Sequence, residues 1–202
     1  MSIFNHTVWP QSSTLIIDQS SRKISRWKAS ARIRTIDGQT LCGEVYFRPT
    51  VARIWDALNN EDEDFIAVTG VADEKGLHSD RTYLVNFEKI VCLSFSTSLA
   101  EARIERADPA MSISYRKVPA VVKTADGVVY HGKLSVRQTL SRVKDELNVR
   151  DGRFIPLEEV VAKNGQVLPE VFFVNKQHIV FTAVANHGDS GSPLTERKLS
   201  AN

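Results

Sequence analysis

Ten residues of this chain return 89 positions later without a gap. Asp37, Gly38, Gly43, Arg53, Asp56, Leu58, Asn59, Phe65, Asn86 and Ile90 reappear as Asp126, Gly127, Gly132, Arg142, Asp145, Leu147, Asn148, Phe154, Asn175 and Ile179. A fixed period of this kind marks one structural unit written twice. Residues kept in both copies serve first to build the unit, and residues that differ are where separate tasks can lie. The match runs from Ile24-Ser25 and Ile113-Ser114 to Phe95 and Val184. It divides the chain into an N-terminal arm (1–21), a first repeat (22–95), a linker (96–110), a second repeat (111–184) and a C-terminal tail (185–202). Units of about 75 residues have marginal cores, so the repeats are expected to pack on each other or on another chain.

Each repeat opens with a strand, 31–36 or 120–125, that runs into Asp-Gly. That pair between alternating apolar segments predicts a hairpin with a type I′ turn. The next strand points Leu41, Gly43, Val45 and Phe47 inward, as its counterpart does Tyr130, Gly132, Leu134 and Val136. A repeated inward glycine predicts a bend or a close backbone approach. Val51, Ile54 and Leu58, with Leu140, Val143 and Leu147, then form a short helical stripe behind the N-caps Thr50 and Thr139. Asn59 and Asn148 are read as helix ends in the left-handed conformation. The shared Arg-x-x-Asp-x-Leu-Asn is therefore read as structural, with Arg53–Asp56 and Arg142–Asp145 as exposed ion pairs one turn apart.

Three more strands follow in each copy, at 65–69, 83–86 and 90–95, and at 154–157, 171–175 and 179–184. Pro156 predicts an edge for the third strand of repeat two. The expected fold is mainly β with short helices: a tandem pair of five-stranded small barrels, each with one inserted short helix. The hairpin Thr35 to Val45 resembles the first signature of Sm-like small barrels, with an apolar strand, a glycine turn and a second glycine on the next strand. Phe173 to Val180 is similar to the closing strand pair of that family. The resemblance implies a small barrel. The Arg-Gly that the family uses for RNA is replaced by Asn86-Phe87 and Asn175-Lys176, so RNA binding is not carried over.

Gly188-Asp189-Ser190-Gly191-Ser192-Pro193 looks like the nucleophile motif of chymotrypsin-like proteases. Only Leu194 to Asn202 follow it, too few to build the remaining strands and specificity pocket of such an enzyme. His78, the only histidine of repeat one, has no counterpart in repeat two. The motif is read as a decoy and the chain as no enzyme. His6, His78, His131, His178 and His187 show no paired ligand spacing, and no phosphate-cradling glycine loop occurs, so neither a metal nor a cofactor is expected. Cys42 and Cys92 match no metal or redox motif and are read as small thiols in a reducing cytoplasm. No apolar run reaches the ~20 residues that span a bilayer, and Met1 to Gln11 lacks the features of a secretory signal.

A net charge of +2 predicts no strong global attraction to nucleic acid or membrane. The asymmetries between copies are more informative. Arg22, Lys23, Arg26, Lys28, Arg32 and Arg34, with Trp27 among them, form a basic strand. Glu61, Asp62, Glu63 and Asp64 follow the first helix, where repeat two has Arg150-Asp151-Gly152-Arg153. Opposite signs there suit head-to-tail contact between units, within or between chains. Trp9, Leu15, Ile16 and Ile17 make the arm too apolar for a solvated tail and suit docking by strand addition. These features together point to a non-catalytic adaptor or structural subunit that binds other protein chains, further copies of itself included, in a cytoplasmic assembly. The alternatives are a nucleic-acid-binding module using the basic strand and a sensor holding a small ligand between the repeats.

Overall fold

The computed structural model describes residues 27–48, 54–60, 62–72, 81–96, 115–138, 143–149 and 152–184. The first unit contains β1 (Trp27–Thr35), β2 (Thr40–Phe47), α1 (Ile54–Leu58), β3 (Phe65–Thr69), β4 (Tyr83–Asn86) and β5 (Ile90–Ser96). The second contains β6 (Tyr115–Thr124), β7 (Val129–Arg137), α2 (Val143–Val149), β8 (Phe154–Val161), β9 (Glu170–Asn175) and β10 (Ile179–Val184). The chain is mainly β, and its ten described strands form one antiparallel sheet ordered β10-β6-β7-β8-β9-β5-β1-β2-β3-β4. Each half uses the same internal order, β5-β1-β2-β3-β4 and β10-β6-β7-β8-β9. The halves meet where β5 pairs with β9. Among the described residues two strands end the sheet, β4 on one side and β10 on the other.

The Asp-Gly hairpins form, but with a different turn from the type I′ that the sequence suggests. Only the glycine takes positive φ, 83° at Gly38 and 82° at Gly127; Asp37 and Asp126 do not. Gly38 N–H donates to Thr35 O, and Thr35 N–H donates to Gln39 O. This is a type I turn followed by a left-handed glycine, which fits a three-residue loop. Asp37 and Asp126 are fixed instead by the hydroxyls of Thr35 and Thr124, which donate to their Oδ1. The inward glycines behave as expected. A Cβ on Gly43 would lie 2.6 Å from Thr69 O, and one on Gly132 2.8 Å from Glu158 O.

Pro156 does not mark an edge. β8 is an interior strand between β7 and β9, with Pro156 opposite Phe173. The physical reason lies in the register. Lys176 N–H bonds Arg153 O, which sets residues 153 and 155 in the hydrogen-bonded pairs toward β9 and Pro156 in a non-bonded one. On its other side the β7 ladder stops at Leu157. The missing N–H therefore interrupts neither ladder.

Two apolar clusters fill the structure, and each draws residues from both units. The first gathers Ile33, Val45, Leu58, Val68, Phe87 and Phe95 and takes in Phe154, Val171 and Phe173 from the second unit. The second gathers Val122, Leu134, Val136, Leu157 and Val174 and takes in Val91 and Cys92 from the first. Sharing cores removes the weakness of two small units standing apart. Among the described residues no helix is long and apolar enough to cross a membrane.

Candidate functional site

The arrangement with most chemistry in it is the junction of the two units. Its centre is the β5–β9 ladder, with Cys92 opposite Val174, Leu93 opposite Phe173, Ser94 opposite Phe172 and Phe95 opposite Val171. Both strands are covered almost throughout. Phe95 and Phe173 meet edge to face at 5.8 Å, and so do Phe87 and Phe154. Such contacts add to plain area burial.

Side chains lock the ladder at the end where β5 begins and β9 finishes. Asn59 does not end α1 in the left-handed conformation, since Glu159 is the only non-glycine with positive φ among the described residues. Its amide instead reaches across the junction. Asn59 Oδ1 accepts from Phe154 N–H at 2.7 Å, while Nδ2 donates to Phe154 O at 3.2 Å and Trp55 O at 2.9 Å. Trp55 Nε1–H donates to Phe154 O at 3.1 Å. Asn175, buried at the end of β9, donates through Nδ2 to Phe87 O and Ile90 O at 3.1 and 3.0 Å. His178 Nε2–H donates to Glu88 O at 2.7 Å. Arg153 donates to Asn60 O at 3.4 Å and lies over the Phe87 ring, 4.9 Å from its centre.

Opposite charges close the far side. Arg34 on β1 binds Asp126 in the β6–β7 turn, whose side chain is only 2% exposed. Burial works against ionising Asp126. The hydrogen bonds from Thr124 and Arg34 and the Arg34 charge outweigh it and hold this carboxyl below the usual carboxylate range. Arg32 approaches Glu170 at 3.8 Å, and Lys28 binds Glu44 at 2.7 Å. All three described cations of the basic strand thus have acidic partners in the same chain. Trp27 begins β1.

Of the acidic segment, Glu63 binds Arg48 at 2.7 Å, Asp62 is exposed, and Asp64 O accepts from Phe87 N–H. Asp64 and Arg153, the opposite signs noted in the sequence, face one cleft of about 430 Å³ at the junction, with Glu88 and Lys176 also on its walls. Asp56 lies in α1 and Asp145 in α2; Leu58 is buried, and Leu147 packs on the second core. Trp9, Leu15, Ile16, Ile17, Arg22, Lys23, Arg26, Arg53, Glu61, Arg142 and the 188–193 motif lie outside the described residues.

Cys92 is fully covered inside the junction, and burial pushes its thiol well above the ordinary range. Cys42 is half-buried, and neither thiol is in a disulfide. Among the described residues no group of three or more His, Cys, Asp or Glu could hold a metal ion.

The counterparts of the junction are the two ends of the sheet. Adding 89 to β5 gives β10, and subtracting 89 from β9 gives β4. Phe172 and Phe173 are buried, but their counterparts Tyr83 and Leu84 stand 37% and 70% exposed. Val91 and Cys92 are buried, but Val180 and Phe181 stand 61% and 46% exposed. Phe154 is fully covered and Phe65 is 51% exposed. Sequence reading missed this site because exposure depends on which strand ends the sheet. The signal was present in the shared Asn59/Asn148, read as helix ends, and in Asn86/Asn175, which cap the turns after β4 and β9 through Oδ1 while Asn175 Nδ2 also crosses the junction.

Comparison with protein-family models, with curated proteins and with solved structures gives no match.

Proposed function

We propose that this chain is a non-catalytic structural subunit of a cytoplasmic assembly, and that it binds other protein chains through the two open edges of its sheet. One observation carries the reading: the strands equivalent to the buried β5–β9 junction end the sheet as exposed apolar edges. Natural proteins guard open edges with charges, prolines or bulges. Neither Tyr83-Leu84-Val85-Asn86 nor Ile179-Val180-Phe181-Thr182-Ala183-Val184 contains a charge or a proline. The bulge of β10 at Val180 has its counterpart at Val91 in β5, where it does not stop β5 pairing with β9. Such edges suit strand addition, in which backbone pairing supplies the affinity.

The ion pairs of Lys28, Arg32 and Arg34 favour this reading over phosphate binding by the basic strand. The junction cleft has acids and bases on facing walls, and Arg153 is already engaged with Phe87 and Asn60. That favours a structural cleft over a ligand site.

The test is the size of the native species in an extract of the source cell, with and without nuclease. The wild type should run well above its 22.6 kDa mass regardless of nuclease. A Leu84→Glu, Phe181→Glu variant should fall back to that mass. A wild type that runs alone, or a complex that nuclease dissolves, would overturn the proposal.

A further inference from the structure

Resting on that reading, we infer that the partner at both edges is a second copy of this chain, with β10 of one copy pairing antiparallel to β4 of the next. The internal junction supplies the template. Shifting the β5–β9 register by the repeat distance sets Phe181 opposite Val85, Thr182 opposite Leu84, Ala183 opposite Tyr83 and Val184 opposite Thr82. The exposed side chains of each edge then take the places of buried ones: Tyr83 and Leu84 those of Phe172 and Phe173, Val180 and Phe181 those of Val91 and Cys92.

Most of the locking contacts carry over with compatible chemistry. Arg32–Glu170 does not, because its counterparts are Val121 and Arg81, and neither does the Arg153 bond to Asn60 O, whose counterparts are Asp64 and Val149. Asn148 takes the place of Asn59 and meets the backbone of Phe65 in the next copy, in place of Phe154. Lys144 stands where Trp55 does and can donate to Phe65 O as the indole donates to Phe154 O. Asn86 stands where Asn175 does and can donate to the carbonyls of Lys176 and Ile179. Arg34–Asp126 becomes Lys123–Asp37, again a cation and a carboxylate. Arg153 over Phe87 becomes Asp64 beside Lys176, a contact changed in kind but matched in sign. An unrelated partner would have no reason to match these charges and amides together.

The contact is head-to-tail and uses each edge once per copy, so copies add until a ring closes or a filament grows. The rival occupant is this chain's own arm, with Trp9 and Leu15 to Ile17 laid along an edge.

The experiment uses purified full-length protein, size-exclusion chromatography with light scattering, and two single variants. Wild type should have a mass several times 22.6 kDa. Leu84→Glu spoils only the β4 edge and Phe181→Glu only the β10 edge. Each should weaken association about 30-fold or more and run as smaller species. Mixing the two variants leaves one intact edge on each partner, and the mixture should form a one-to-one dimer. That dimer also shows that both variants are folded. Removing residues 1–20 should leave the wild-type mass multiple unchanged.

A monomeric wild type would overturn the second-copy inference. If the protein is still large in the native extract, the broader assembly reading stands with a different partner. A wild-type oligomer that survives both variants, a mixture that fails to dimerise, or an oligomer lost on removing residues 1–20 would also overturn the inference.

Discussion

Replacing Asn59 by alanine tests whether the asparagine shared by the two repeats holds the units together or merely ends a helix. Its amide makes three hydrogen bonds, two of them to the backbone of Phe154 in the other unit. Phe154 is fully buried, so its N–H has no water to turn to when Asn59 Oδ1 is removed. An unsatisfied buried donor costs about 1–3 kcal/mol. Phe154 O keeps the Trp55 indole as a donor, so the second lost bond costs less. The sum is about 2–3 kcal/mol, which for a chain of this size lowers Tm by about 5–10 °C. The assay is urea and thermal unfolding at a concentration where the chain is monomeric, with Asn148→Ala beside it. Asn148 is exposed at the end of α2, and its substitution should stay within about 0.5 kcal/mol. Equal losses in the two variants would refute the reasoning, since a helix-ending role is the same in both copies.

Gly43→Ala and Gly132→Ala should each destabilise by about 1–3 kcal/mol in urea melts, because the added Cβ meets a strand carbonyl oxygen at 2.6 or 2.8 Å; a neutral result would count against the close approach. The Asp126 carboxyl has a depressed pKa, so its stabilising contribution is complete above the unfolded value of about 4 and is lost as pH falls through the lower folded value. Asp126→Asn should therefore flatten the acid limb of the urea midpoint plotted against pH below about 4, and an unaltered limb would show that the Arg34 pair contributes nothing. Iodoacetamide applied to the native protein should label Cys42 by mass spectrometry and leave Cys92 untouched until denaturant is added, because Cys92 is covered and its thiol is held protonated.

Much of the fold was legible because short-range rules dominate inside each unit. The strands at 65–69 and 83–86 were placed as they occur, since apolar alternation between turn residues leaves little choice. Gly43 and Gly132 announced a close approach through their repetition on an inward face. The turn type was decided locally, by the threonine hydroxyls two residues before each glycine's aspartate neighbour. The edge inferred from Pro156 and the helix end inferred from Asn59 were decided by partners far away in sequence. Pro156 is tolerated inside the sheet because of its register against Phe173. Asn59 was available to bridge because Phe154 lies against it, 95 positions away. The basic strand of Lys28, Arg32 and Arg34 read as a free face, and its carboxylate partners on β2, on β9 and in the β6–β7 turn became visible only with the topology. The 89-residue period marked the residues that the two halves share, some of which build a unit and some of which, such as Asn59, Phe154 and Asn175, join the units. It could not tell that one junction would be closed inside the chain and its counterpart left open at the two ends.

The most direct test is amide hydrogen exchange of the four strands concerned, followed over a range of protein concentrations. The account predicts that β5 and β9 stay protected at every concentration. It predicts that β4 and β10 exchange fast when dilute and become protected together as concentration rises. Fast exchange in β5 and β9 when dilute would contradict the internal junction. Edges whose exchange does not depend on concentration would contradict pairing between copies.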